Sequence, residues 1–212
     1  MNKLIEYVQN NLPYDIFSDK DIAQSIPQKS NDSRYSLIKR ALKNNDILKL
    51  KRGLYCLTRK YQKHPLDNFS ISQIVYGPSY VSMESALSYY GLIPEGVFIT
   101  TCVSMNRSMT FKTDIGDFIY HRVPQDQLYA DVKQVMSENS LFYIASPWKS
   151  LCDYVYVHKA NWASIDPLEN SLRIDTEILP VLSKEEFCQL MENYHSKRIT
   201  KFIKGIMKDL KI

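Results

Sequence analysis

Ile47-Leu-Lys-Leu-Lys-Arg-Gly-Leu-Tyr-Cys-Leu57 reads as two short strands around a tight turn at Lys51-Arg52-Gly53. What precedes it is helical. Leu37, Ile38, Ala41 and Leu42 recur at helical spacing and predict a helix over roughly 32–44, broken by Asn44-Asn45-Asp46. Before the polar run Gln28–Ser33, Ser18 is placed to cap a helix over about 19–26 that ends before Pro27. Asp21 lies three residues on, and Phe17 and Ile22 sit at the staple positions. Leu4, Ile5, Val8 and Leu12 predict a first helix over 2–11, stopped by Pro13. Three helices followed by a basic hairpin is the order of a winged helix-turn-helix.

Charge divides the chain in the same place. The net charge of the 212 residues is +4, but residues 1–63 hold thirteen Lys/Arg against six Asp/Glu, a net +7. Residues 64–183 hold seven against thirteen, a net −6, and residues 184–212 hold seven against four, a net +3. A basic head of about sixty residues is a candidate polyanion binder; the plainer reading is a lysine-rich solvated surface. The connection Arg59-Lys60-Tyr61-Gln62-Lys63-His64-Pro65 lacks Gly and Ser, so the boundary is placed near 59–65. The expected fold class is α+β: an N-terminal winged helix-turn-helix domain over 1–63 and a larger mixed α/β C-terminal domain over 64–212.

The C-terminal part alternates helix and strand signals. Ser82 is placed to cap a helix carrying Met83, Ala86, Leu87 and Tyr90, ended by Gly91. Tyr89 and Tyr90 read as core and rim. Val97–Ser104 reads as a strand, and Met109–Lys112 and Phe118–Val123 read as partners across the turn Asp114-Ile115-Gly116. Leu141–Ala145 is a short buried strand. Ser146-Pro147 then opens a helix with Trp148, Leu151, Cys152 and Val155 on its buried stripe. Ser183-Lys-Glu-Glu186 is a capping box with Leu182 and Phe187 as staple. The last helix carries Ile199, Phe202, Ile203, Ile206, Met207 and Leu210 on one face and Lys197, Lys201, Lys204, Lys208 and Lys211 largely on the other.

On the third helix the apolar positions must face its neighbours, which leaves Ser33, Tyr35, Ser36, Lys39, Arg40 and Lys43 outward, with Arg34 at the N-terminal edge. Residues near the start of such a helix reach base edges in a major groove, and Arg34 can pair with guanine in bidentate fashion. Lys39, Arg40 and Lys43 fit phosphates, which position without specifying. Lys49, Lys51 and Arg52 of the hairpin lie beside the backbone or minor groove in this reading. The last helix has two compatible readings. Its apolar face docks while its lysines stand in water, or those lysines meet nucleic acid or an acidic partner.

Three segments carry a family resemblance. Ile47-Leu-Lys-Leu-Lys-Arg-Gly-Leu-Tyr55 and Pro78-Ser-Tyr-Val-Ser-Met-Glu-Ser-Ala-Leu-Ser-Tyr-Tyr-Gly-Leu-Ile-Pro-Glu95 resemble the AbiEi-type antitoxins of abortive-infection (type IV) toxin–antitoxin systems. Ile144-Ala-Ser-Pro-Trp-Lys-Ser-Leu-Cys-Asp-Tyr154 is similar to that family's strand-to-helix segment. The resemblance runs from about residue 15 to 160 and is most specific over 78–95. The third helix departs from it, with more Ser and Tyr and fewer Arg. The resemblance implies a winged helix that represses its own promoter on double-stranded DNA. It also implies a C-terminal domain that neutralises a nucleotidyltransferase-like toxin, functionally rather than by stable contact. The alternative is a winged-helix module that binds a protein and never touches DNA.

An enzyme is not expected. Asp114, Asp117 and His121 are explained by a turn and a strand surface, and Glu84 and Asp153 by the first turns of helices. No HExxH, GxSxG or P-loop pattern occurs, and His64, His121, His158 and His195 share no ligand spacing, so no metal and no cofactor is expected. Cys56, Cys102, Cys152 and Cys188 form no CxxC pair and suit a reducing cytoplasm. No apolar run is long enough to span a membrane, and the N-terminus shows no signal-peptide pattern, so a cytoplasmic protein with no membrane partner is expected.

Overall fold

The computed structural model describes residues 3–12, 15–27, 30–136 and 141–212. Helix α1 (Lys3–Asn11) buries Leu4, Ile5 and Val8. Its expected stop, Pro13, lies outside the described residues. A three-residue strand, β1 (Ile16–Ser18), leads directly into α2 (Asp19–Ser25). The capping box forms as expected. The Ser18 amide donates to Asp21 Oδ2 at 2.7 Å, and the Asp21 amide donates back to Ser18 Oγ at 3.4 Å. Helix α3 (Asn31–Lys43) starts one residue before its expected position because Ser30 accepts from the Ser33 amide at 3.3 Å. Strands β2 (Ile47–Lys51) and β3 (Leu54–Leu57) follow, with Gly53 at φ 74° in their turn. The three strands form an antiparallel sheet in the order β1-β3-β2.

Every residue of β3 is buried. Tyr55 and Leu57 pack with α1–α3 in one core, while Leu54 and Cys56 join Leu50 in another. A strand covered on both faces needs an unbroken apolar run, and Leu54-Tyr-Cys-Leu57 is one. The second cover comes from the rest of the chain: Ile71 and Val75 of α4 (Asn68–Val75), with Val81, Phe118 and Ile144 of the large sheet. The connection at 59–65 is tied back to the helical part. Gln62 Nε2 donates to the Leu57 carbonyl at 2.7 Å, the Lys63 amide to Asp15 Oδ2 at 2.7 Å, and Tyr61 Oη to Asp46 Oδ1 at 3.1 Å.

The larger part is built on β4 (Ser79–Val81), β5 (Ile99–Ser104), β6 (Met109–Thr113), β7 (Gly116–Arg122), β8 (Val132–Met136) and β9 (Leu141–Ala145). Their order is β6-β7-β5-β4-β9-β8, with β5–β7 and β4–β9 parallel and the other pairs antiparallel. The central strands alternate between two cores, as the period of two demands. Val81, Cys102 and Ile144 face α4 and the hairpin, whereas Tyr80, Val103 and Ala145 face the opposite side. That side is covered by α5 (Met83–Tyr89), α6 (Pro147–Val157), α8 (Lys184–Glu192) and α9 (Lys197–Asp209), with α7 (Asp166–Leu172) between α6 and α8 in the chain. The molecule is thus mixed α+β, with a helical N-terminal part and a larger sheet part.

The α6 cap forms as expected, with Ser146 accepting from the Lys149 amide, and so does the Ser183–Glu186 box. The cap expected at Ser82 does not form. Its hydroxyl donates instead to Asp153 Oδ2 at 2.6 Å, and Thr101 Oγ1 accepts from the Ser85 amide at 3.1 Å. Helix α9 buries Ile199, Phe202, Ile203 and Ile206, so its apolar face docks. Leu210 lies past the end of α9 and is exposed, contrary to the expectation that it shares this face. Gly205 sits where a Cβ would overlap the Ala163 carbonyl, which brings α9 into backbone contact with the segment before α7.

Candidate functional site

Helix α3 presents one face away from its core. Ile38 and Ala41 are buried, while Ser33, Tyr35, Ser36, Lys39, Arg40 and Lys43 are exposed, Tyr35 at 70%. A shallow groove of about 300 Å³ runs along this face between Ser33, Ser36, Leu37 and Arg40, with Asp32 at its edge. Among the described residues, Lys39, Arg40 and Lys43 have no hydrogen-bond or ion-pair partner, so three cations stand free on one face. The Ser33 hydroxyl is part of the cap, accepting from Ser30 Oγ at 3.1 Å. Lys49 and Arg52 are exposed on the hairpin.

Arg34 and Lys51 are placed differently. The Arg34 guanidinium reaches back across the α2–α3 turn. It donates to the Ile26 carbonyl at 3.4 Å, the Pro27 carbonyl at 3.1 Å and Asn31 Oδ1 at 3.2 Å. It therefore satisfies carbonyls at the end of α2 and holds the turn. Lys51 Nζ donates at 2.6 Å to the carbonyl of Val75, the last residue of α4, where the helix dipole favours a cation. With the Asp19 amide on the Gly53 carbonyl at 3.2 Å, the hairpin tip is held between α2 and α4. Both side chains look outward on a helical wheel or strand ladder, but the carbonyls of the preceding turn claim Arg34 and the distant Val75 carbonyl claims Lys51.

A buried polar cluster is the feature that sequence reasoning missed. Asp153 sits in the middle of α6, not in a first turn, and is 0% exposed. Its carboxylate accepts from Tyr80 Oη at 2.9 Å, Ser82 Oγ at 2.6 Å and Tyr194 Oη at 2.8 Å. One helical turn earlier, Lys149 is also 0% exposed. Its ammonium donates to Gln125 Oε1 at 2.6 Å and lies 5.1 and 5.0 Å from the ring centroids of Tyr80 and Tyr194. Gln125 Nε2 closes the network on Tyr80 Oη at 3.0 Å. Burial raises the Asp153 pKa above the ordinary carboxylate value, opposed by Lys149 and the three hydroxyls. Burial lowers the Lys149 pKa, opposed by Asp153. Burial also drives the Tyr80 and Tyr194 hydroxyls well upward. Tyr80, Ser82, Lys149 and Asp153 are fully covered, and the cluster pins α6 to β4 and to the α8–α9 junction. The signal available in the sequence was Lys149-x-x-x-Asp153, an i, i+4 pair of opposite charge inside an apolar helix.

The remaining polar candidates do not converge. Glu84 at the start of α5 pairs with His158 Nε2 at 3.0 Å. His121 is half-buried, and its pKa is lowered by burial and then by His158. No group of three His, Cys, Asp or Glu able to hold a metal ion occurs among the described residues, and Asp114 and Asp117 flank the β6–β7 turn. Lys197, Lys201, Lys204, Lys208 and Lys211 are all exposed. Lys201 donates to Asn161 Oδ1 at 2.9 Å, and Lys211 lies beyond the end of α9. The four cysteines are free thiols, and no described helix is long and apolar enough to cross a membrane. No protein-family model matches the chain, and no curated protein matches it significantly.

Proposed function

We propose that the chain is a DNA-binding transcriptional autoregulator of the antitoxin type, with its N-terminal part acting as a winged helix. The observation that carries this is the outer face of α3, where Lys39, Arg40 and Lys43 stand free beside Tyr35 and Ser36 on a basic head of net +7. In this reading α3 enters the major groove of the chain's own promoter. Tyr35 and Ser36 meet base edges, the three cations meet phosphates, and Lys49 and Arg52 add charge at the flank. Arg34 and Lys51 shape the surface rather than contact DNA. The resemblance over residues 78–95 supports the antitoxin role, in which the sheet part neutralises a nucleotidyltransferase-like toxin without stable contact. The protein is not an enzyme in this reading and needs no cofactor.

The test is a fluorescence-anisotropy titration of the full chain on a duplex from its own upstream region. Binding falls steeply with salt, because cations on a polyanion release condensed counterions. Lys39→Ala/Arg40→Ala/Lys43→Ala removes three phosphate contacts and flattens the salt slope by about three units. No binding at low salt, or the same slope in the triple variant, refutes the proposal. The docked hairpin favours a second reading, since a wing held at its tip reaches DNA less freely than a projecting one. There the same α3 face meets a protein, and duplex binding is absent while the chain remains folded.

A further inference from the structure

We propose that a separate cavity in the sheet part binds a nucleotide-sized organic phosphate. The cavity has a volume of about 540 Å³ and lies between the stretch that follows β7 and the start of α9. That volume falls within the usual range for small-molecule sites, roughly 300–1,000 Å³. Arg122 and Lys197 line it, both exposed and, among the described residues, both without a side-chain partner. Asp126 is the single carboxylate on its wall among the described residues, and His195 Nε2 already holds it at 2.7 Å. Two cations, Arg122 and Lys197, against the one carboxylate of Asp126 leave the charge facing the cavity positive.

The floor is polar and built in. Gln125 and Tyr194 line the cavity and are 6% and 2% exposed. Both are fixed from behind by the Lys149–Asp153 cluster, so their positions do not depend on a ligand. Ser196 stands at the N-cap of the thirteen-residue α9 and accepts no hydrogen bond from its first amides, so those donors add to the attraction for an anion. A bare anion would leave the other wall unused. Tyr156, with Met105, Val123 and Pro124, gives an apolar flank that suits a flat ring system. A phosphate on Arg122 and Lys197 with a base against Tyr156 uses both halves.

The test measures adenosine 5′-monophosphate, inorganic phosphate and adenosine against the full-length protein by isothermal titration calorimetry and thermal shift. The nucleotide binds and raises the melting temperature, and each half alone binds at least about tenfold more weakly. Arg122→Glu and Lys197→Glu each lower nucleotide affinity by about tenfold or more, since each removes a charge-assisted contact. Lys184→Glu, an exposed change at the start of α8, leaves it unchanged. The proposal is overturned if the nucleotide fails to bind at millimolar concentration, if phosphate alone binds as tightly, or if Lys184→Glu weakens binding as much as Arg122→Glu. Duplex binding by α3 is not used in any arm, so failure here leaves the DNA proposal standing and failure there leaves this one.

Discussion

Removing both charges of the buried Lys149–Asp153 cluster should cost less than the sum of removing each alone. Lys149→Met leaves a carboxylate with 0% exposure and no cation beside it. Three hydroxyl donors remain on Asp153, and Lys149 acts on it through space rather than by direct contact, so the expected loss is about 3 kcal/mol, the lower end for a buried charge left without its counter-charge. Asp153→Asn removes the carboxylate whose charge offsets the buried ammonium of Lys149, which keeps its bonds to Gln125 Oε1 at 2.6 Å and Tyr194 Oη at 3.5 Å. It also faces three hydroxyl donors with an amide, so about 3–5 kcal/mol is expected. The double variant buries neither charge, and its loss should fall about 1–3 kcal/mol short of the sum. Urea unfolding followed by Trp fluorescence reads this directly, because Trp148 precedes Lys149 on α6 and donates to the Pro180 carbonyl at 2.7 Å. The pH dependence has a fixed sign. Lys149 holds its proton less tightly in the fold than in the unfolded chain, so stability rises with pH between its lowered pKa and 10.5. Asp153 holds its proton more tightly in the fold, so stability falls as pH rises from 3.8 through its raised pKa. The double variant loses both slopes. Additivity within about 0.5 kcal/mol, or a single variant costing under about 1 kcal/mol, refutes the account of this cluster.

Four further outcomes are expected. Arg34→Ala should lower stability by about 1–2 kcal/mol through the freed α2 carbonyls and weaken operator and random duplexes alike. Selective loss of the operator at unchanged stability would return Arg34 to base reading. Lys51→Met should cost about 1 kcal/mol and leave the salt slope of duplex binding intact, whereas a slope lower by about one unit would mean a phosphate contact. A fragment of residues 64–212 should aggregate or stay unfolded by circular dichroism and gel filtration, because Ile71, Val75, Val81 and Phe118 lose the cover of Leu50, Leu54 and Cys56; a monomeric, cooperatively melting fragment would contradict this. Gly205→Ala gains helix propensity worth about 1 kcal/mol but drives a methyl into the Ala163 carbonyl, so a net loss of stability is expected in thermal melts, and a gain would show that α9 can move away.

Elements whose signals are local were legible in the sequence. The Ser18 and Ser183 boxes, the proline after Ser146 and the glycine at 53 act within a few residues, and each appears where expected. Short strands with no pattern of their own were not. Strand β1 is three residues long and exists because β3 offers it an edge, and β8 reads Val-Lys-Gln-Val-Met with only weak alternation. Helix α4, which Asp67 caps through the amides of Phe69 and Ser70, is only eight residues long and follows Pro65 closely, so its pattern is weak. On α3, helical spacing assigns the outward set, but only the folded chain reveals that Arg34 turns back to α2. Ser82 shows the same limit. Its position fits a cap, and a carboxylate seventy-one residues away takes its hydroxyl. The run Leu54-Tyr-Cys-Leu57 reads in the sequence only as the second strand of a hairpin, and that both of its faces are covered, joining head and body in a shared core, is visible only in the fold.

That doubly covered strand imposes an order on synthesis. When the first three helices and the hairpin have left the ribosome, Tyr55 and Leu57 already have their helical cover, but Leu54 and Cys56 still face water. Their partners on α4 come next, and Phe142 and Ile144 of β9 arrive only after most of the large sheet has been made. Until then the nascent head carries an apolar sheet face, which attracts chaperones and invites mispairing. Lys51 finds its acceptor on Val75 as soon as α4 is made, but the sheet face under the hairpin is closed only when Phe142 and Ile144 arrive, so its finished packing belongs to the whole chain rather than to its first sixty residues.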